Sequence, residues 1–481
     1  MSSTAKAIAA LQATLPVEQL LLPGSDAYAT SNGAYLAQQE SELQPAAIFQ
    51  PKSAEDVAKF VKIVKPFAVG GSATFAIRGA GNMPLPGCAN DDGGLTLDLG
   101  FLTTVELHEN RTVSVGAGAQ WSAVDKVVEA AGLGVTGGRS GNGGIGGLSF
   151  FSSREGFISD NVLSFEIVLA SGAITTASPI SNPDLWRALR GGGNNFGIVT
   201  RYDLATFPLP AGPSKPLWGG NVYYFTPGFP AQIEALVAEL KKGKDADPNT
   251  HLLISTGYSA QFGVNMCLNT VYYTQPTDEA PPALQPFTNI EPQVQTLNSL
   301  KPLNLTEAAA GQAAGVASHV RVSYMNVAVK ADVATLQAAA DIYNAAVTRI
   351  KNATGLTCSL TFQPYPVSLL ETSAAKGGNS LGLDAAHGPV VSVLLLTYWN
   401  SKKDDARITE AMKGALESIQ AQAVEKTTAL KYVYLNYAAD FQDPIGSYGG
   451  LNKAFLQGVS KTHDFEGLFQ KGVPGGFKLF T

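Results

Sequence analysis

The chain has 481 residues, enough for two or three domains with a sizeable core. With 45% hydrophobic and 15% charged residues and a net charge of −6, it is globular in composition and offers no basic surface for nucleic acid or an anionic membrane. Three widely spaced cysteines, Cys88, Cys267 and Cys358, support neither a disulfide framework nor a Cys-x-x-Cys metal site. The five histidines never fall at zinc-ligand spacing, so no metal is expected.

In chain order, a helix over 5–15 leads into a polar segment. Ser53, followed by two acids, is placed as the N-cap of a helix whose Val57, Phe60, Val61 and Val64 form one apolar stripe. The apolar run 73–77 predicts a strand that delivers a tight glycine-bearing turn, Arg78-Gly79-Ala80-Gly81-Asn82. Alternation predicts strands at 94–99 and 112–118, and a helix follows at 121–131. Then comes the run 137–149, in which seven of thirteen residues are glycine. Such a loop can approach a flat or charged ligand closely and present successive N–H groups to it. Two strands flank a Ser171-Gly172 hairpin turn, Asn182 opens a short helix, and a third glycine-rich turn at 190–197 leads into a β-branched strand. None of the three loops is a Walker loop or a Rossmann fingerprint. Residues 1–207 read as one α+β unit.

Pro208, Pro210, Pro213 and Pro216 interrupt strand and helix alike and mark a boundary. Over 208–430, helices at 229–242, 331–351 and 404–424 alternate with strands at 222–225, 251–258, 265–273, 320–329, 359–363 and 390–398. This predicts a second domain of sheet and helices. Residues 431–481 return to the glycine, proline and aromatic texture of the first unit and are expected to fold back on it. A small-molecule pocket then lies between the domains. The N-terminus lacks an apolar signal region and no apolar run reaches about 18 residues. The chain as written is therefore expected in the cytoplasm without a membrane partner, or secreted if a signal peptide preceded it. Its oligomeric state is left open.

The order of these motifs resembles the flavoprotein oxidases of the vanillyl-alcohol oxidase and p-cresol methylhydroxylase superfamily, and more closely their fungal berberine-bridge-enzyme-like group. The resemblance is carried by Arg78-Gly79-Ala80-Gly81, the glycine run, Asp160-Asn161-Val162-Leu163, the stretch 182–200, Tyr434-Leu435-Asn436-Tyr437 and the tail from Asp464. It implies an α+β, two-domain flavoprotein, in which an FAD-binding domain completed by the C-terminal tail sits beneath a substrate domain with an antiparallel sheet. It further implies that Arg78, Gly79, Ala80 and Gly81 serve the FAD pyrophosphate, that Gly141, Asn142, Gly143, Gly146 and Gly147 run along the flavin, that Gly197 and Ile198 contact its adenosine end or edge, and that Asn436 reaches the isoalloxazine. Two family positions differ. The histidine that family members bond covalently to the flavin is replaced by Asn82, and the cysteine of a second link by Ser140. The FAD is therefore expected to be non-covalent.

The activity the resemblance implies is an FAD-dependent oxidase of a small, ring-bearing secondary metabolite, with hydride passing to flavin N5 and reoxidation by O2. Tyr437 is the first candidate base and Tyr434 the second. Gly143 leaves room for dioxygen. Phe362, Gln363 and Tyr365, Tyr398 and Trp399, and Arg321 and Tyr324 are the substrate-lining candidates from three strands. Loss of both attachment positions keeps open an FAD-retaining, non-redox cyclase or isomerase, and a flavin-free binding protein is the third reading.

Overall fold

The computed structural model describes residues 2–314 and 319–480. Three sheets organise them. In the first, Ala47–Phe49, Leu95–Asp98 and Phe75–Arg78 run parallel, with Leu20–Leu21 antiparallel on the outer edge. Helix Ala54–Ala68 covers this sheet, and the Ser53 hydroxyl accepts the Asp56 N–H at its start. Its stripe of Val57, Phe60, Val61 and Val64 is wholly buried, each side chain contributing about 1.5–3 kcal/mol of burial. Phe60 stacks on Phe49 and meets Phe75 edge-on, both at 5.4 Å. The second sheet is antiparallel and is built around the long strand Ile198–Pro208. That strand pairs with Thr112–Gly116 on one side, Val162–Val168 on the other and Leu133–Val135 at its far end.

The third sheet has eight antiparallel strands, in the order Lys301–Leu303, Leu217–Phe225, Val264–Tyr273, Thr250–Ser259, Thr357–Tyr365, Val390–Trp399, Arg321–Lys330 and Ala429–Leu430. One face packs against helices Phe229–Lys241, Val333–Ile350 and Asp405–Glu425, where Leu236, Tyr343, Leu360 and Ile419 share one core. The other face looks toward the first two sheets.

The tail returns to the N-terminal part. Asp464 accepts the N–H groups of Leu468 and Phe469, seating the turn Leu468–Gly472 beside helix Ala54–Ala68. Asn194 and Asn195 donate to the carbonyls of Gly475 and Phe477 at 3.1 and 2.9 Å. Several helices escape the sequence pattern, the longest being Leu305–Ala314, Val367–Ala375 and Gly450–His463. The first is rich in alanine and shows no sharp apolar stripe, and the last opens on Gly450 and carries Gly458 inside it. No helix among the described residues is long and apolar enough to cross a membrane.

Candidate active site

Between the open face of the eight-stranded sheet and the glycine loops lies a cavity of about 1200 Å³. That exceeds the roughly 300–1,000 Å³ of ordinary small-molecule sites. Strand Phe75–Arg78 delivers Gly79, Ala80, Gly81 and Asn82 to its wall. Arg78 itself turns away. Its guanidinium donates to the Ser31 and Ala34 carbonyls at 2.7 and 2.8 Å and lies 4.1 Å over the Tyr35 ring, so it braces the turn from behind. Gly81 has φ +69°, and a Cβ there would stand 3.0 Å from Arg78 Nε, so the position demands glycine twice over. Among the described residues, the N–H groups of Ala80, Gly81 and Asn82 find no protein acceptor. The Asn82 amide bonds the Ala80 carbonyl at 3.1 Å and the Asn142 carbonyl at 2.8 Å, tying the first loop to the second.

Within the glycine run, Ser140, Gly143, Gly144, Gly146 and Gly147 line the cavity. Gly144 is pressed against the first loop, since a Cβ there would come within 2.9 Å of Ala80 Cβ. Gly137 and Gly138 have a different cause: Trp121 fills the space a side chain would need. Gly141 and Asn142 stand off the wall. The Gly141 N–H donates to Ala309 and its carbonyl accepts from Ser122, while Asn142 offers its carbonyl to Asn82. Gly197 and Ile198 also lie outside. A Cβ on Gly197 would meet Ile167 at 2.7 Å, and Ile198 is buried with Leu97 and Phe75, so both serve sheet packing. The third loop reaches the cavity instead through Gly193 and Asn194, joined by Gly476 and Phe477 of the tail.

Strand alternation sorts the sheet residues. Thr357, Ser359, Thr361 and Gln363 face the cavity, whereas Phe362 faces the helices. Tyr365 has the cavity-side parity but lies past the cavity's edge, fully buried between Phe157 and Tyr432 at 5.6 and 6.3 Å. Tyr398 lines the wall while its neighbour Trp399 turns to the core and donates its indole N–H to Asp405. Arg321 likewise faces away, paired with Glu42 and Asp405, and does not line the cavity. Tyr324 does, with its hydroxyl 2.5 Å from that of Tyr398.

Tyr437 and Asn436 come to the wall from the segment after the sheet's last strand. Tyr434 sits behind them, 5% exposed, its oxygen accepting from the Asn436 amide at 3.0 Å. Burial and the neighbouring phenols Tyr437 and Tyr365 push its ionisation well above the ordinary tyrosine range, which disfavours it as a base. At the centre stands Arg139, passed over in the sequence reading although it is the sole charged residue of the glycine run. It donates to the Tyr437 oxygen at 3.1 Å and to the Gln363 carbonyl oxygen at 3.2 Å, and approaches His251 Nε2 at 3.5 Å. Burial, aided by Arg139, holds His251 far below its usual range, so it is neutral.

Residues 45–178 match the family model of an FAD binding domain. The FAD-dependent monooxygenase FUP4 of Fusarium proliferatum is 34% identical over 482 residues, covering 95% of this chain and 89% of its own length. The bifunctional solanapyrone synthase of Alternaria solani is 33% identical over 442 residues, covering 90% of this chain and 82% of its own. The chain belongs to this family of FAD-dependent oxidoreductases. The expected resemblance to berberine-bridge-like flavoproteins is met in the fold. Two solved folds agree. A berberine-bridge-like protein of Physcomitrella patens superposes with TM-score 0.77 at 17% identity over 96% of this chain and 97% of that one. The xylooligosaccharide oxidase of Myceliophthora thermophila superposes with TM-score 0.75 at 17% identity over 99% of both chains.

The flavoprotein's cavity suits FAD on its own geometry. Three successive unpaired N–H groups on one turn form a cradle for an anionic group such as a pyrophosphate. The bare backbone at Gly143, Gly144, Gly146 and Gly147 leaves a flat surface facing the Asn436 amide, which would lie 3.7 Å from a Cβ on Gly146.

Proposed function

We propose that this flavoprotein is an oxidase of a small, ring-bearing organic molecule, with FAD bound without a covalent link and Tyr437 as the base. Ala80, Gly81 and Asn82 hold the pyrophosphate through their N–H groups, while Ser140, Gly143, Gly146, Gly147 and Asn436 border the isoalloxazine. FAD bound there supplies a hydride acceptor at N5 that dioxygen reoxidises. The observation that carries the reading is the placement of Tyr437. Its phenol stands on the cavity wall next to Asn436, and its oxygen accepts a hydrogen bond from a guanidinium. The guanidinium holds that oxygen in place on the wall, and once the phenol has given up its own proton the oxygen can take the O–H or N–H proton of a substrate. Tyr324, Tyr398 and Gln363 provide an aromatic and polar wall for the ring. Non-covalent attachment is supported by Asn82, whose amide is already committed to two carbonyls and whose chemistry offers no ring nitrogen to bond a flavin carbon.

The test is an absorbance spectrum of purified protein before and after acid precipitation, followed by oxygen uptake and peroxide release with a panel of ring-bearing alcohols and amines. Flavin released wholly to the supernatant and peroxide formed in step with oxygen uptake are expected. Flavin left in the pellet overturns non-covalent binding, and no flavin in either fraction after incubation with FAD overturns the oxidase.

A second reading is a non-redox cyclase or isomerase using the same pocket. It is favoured by the loss of both attachment residues at Asn82 and Ser140, and by a relative named as a bifunctional synthase. Product formation under anaerobic conditions with the flavin still oxidised would select it.

A further inference from the structure

Arg139 is the only charged side chain lining the cavity among the described residues. The polar groups it touches are the phenol of Tyr437, the amide of Gln363 and the desolvated imidazole of His251, none of them a carboxylate. The fold treats its other enclosed arginines differently. Arg78 lies 3.8 Å from Asp98, Arg190 lies 3.2 Å from Asp160, and Arg321 is paired with both Glu42 and Asp405. Among the described residues no carboxylate pairs with Arg139, although the same molecule provides one for each of the others. A guanidinium in a partly enclosed site without a counter-ion is left to be neutralised by whatever fills the site. Its Nε also finds no acceptor among the described residues. The three contacts it does make hold the planar group in place on the cavity wall, beside the hydroxyl assigned as base. The N–H cradle at Ala80, Gly81 and Asn82 is a separate anion site on a different loop.

We propose that Arg139 is the specificity-determining residue of this pocket, and that the substrate carries an anionic oxygen, a carboxylate or an ionised enol or phenol, which the guanidinium binds next to the reacting centre. The proposal rests on the reading of the cavity as the substrate site, and it names the substrate class that site takes. Such a substrate places its anionic oxygen on Arg139 and its O–H or N–H toward Tyr437. A neutral analogue of the same shape loses the charged hydrogen bond.

Benzoate and benzamide, equal in size and different in charge, are the probes. Their binding to the purified holoprotein is read in two ways: by perturbation of the flavin absorbance, and by quenching of tryptophan fluorescence, since Trp121 lines the cavity. Benzoate should bind about 10- to 100-fold more tightly than benzamide, the range of one charged hydrogen bond. That preference should vanish in Arg139→Met and survive in part in Arg139→Lys, which keeps the charge without the fork. Equal binding of the two probes by the unaltered protein overturns the proposal and needs no variant. A benzoate preference that persists in Arg139→Met also overturns it. Should Arg139 serve the cofactor ring alone, the two probes bind equally while Arg139→Met weakens formation of the flavin–sulfite adduct, and the proposal fails. A protein that takes up no FAD, yet shows the benzoate preference by tryptophan fluorescence, refutes the oxidase and retains the anion site.

Discussion

Replacing Arg190 with methionine removes a buried ion pair beside the third glycine loop, together with the bond from the same guanidinium to the Lys376 carbonyl of the second domain. The Arg190 and Asp160 side chains are both 0% exposed. The guanidinium donates to the Ser159 carbonyl at 2.8 Å, to the Lys376 carbonyl at 3.2 Å and to Asp160 at 3.2 Å, and lies 4.2 Å over the Trp186 ring. Methionine fills much of the same volume but leaves the Lys376 carbonyl without this donor, the Ser159 carbonyl with only the Val162 N–H, and a buried carboxylate without its counter-ion. Asp160 retains the Phe157 N–H and the Asn379 amide, which soften the loss without cancelling the charge. Breaking one side of such a buried pair costs about 3–5 kcal/mol. For a folding unit of this size, that corresponds to a fall of about 6–20 °C in Tm. Thermal unfolding followed by circular dichroism measures the single variants Arg190→Met and Asp160→Asn and the double variant. The double variant should lose less than the sum of the singles by about 0.5–3 kcal/mol, because the second substitution removes a charge the first has already stranded. A change within about 0.5 kcal/mol for Arg190→Met, or additive losses, would refute the reasoning.

Three further outcomes are expected. Tyr437→Phe should slow anaerobic flavin reduction by any oxidised substrate about 10²–10⁴-fold at unchanged flavin content, with Tyr434→Phe much milder; the reverse order would exchange the two roles. Asn82→Ala removes the hydrogen bond that joins the first two glycine loops and a second one within the first loop, and fluorescence titration of the apoprotein should show FAD binding about 5- to 30-fold weaker, unchanged affinity counting against the bracing role. Burial pushes the Glu40 carboxyl from 4.5 up to about 7, against the N–H groups of Ala89 and Gly87. A carboxyl that holds its proton better in the folded state stabilises fully below its unfolded pKa, and that contribution is lost as pH rises through the folded one. Stability should therefore fall by about 3 kcal/mol between these values, and Glu40→Gln should flatten the slope of Tm against pH over that window. A slope identical to that of the parent protein would contradict it.

Local chemistry was legible along the chain. The Ser53 cap and the stripe from Val57 to Val64 set one helix, and the apolar, β-branched and aromatic runs within 250–273 and 390–399 set long strands, because helix period and strand composition are written in neighbouring residues. The glycine loops, the proline boundary and the replacement of two attachment positions by Asn82 and Ser140 are equally local. What a side chain faces is not. Arg321 and Trp399 pattern like wall residues, yet register and the helix Asp405–Glu425 turn them to the core. Gly197 belongs to a glycine-rich turn, yet its bare Cα accommodates Ile167 rather than a ligand. Arg139 and Tyr437 stand 298 positions apart, and no periodicity links them. The sequence determined the elements and the loops, since these depend on residue type and short spacing. Only the tertiary structure decided which faces meet across the cavity and left one guanidinium there without a carboxylate, because pairing between distant segments is settled by sheet register and packing.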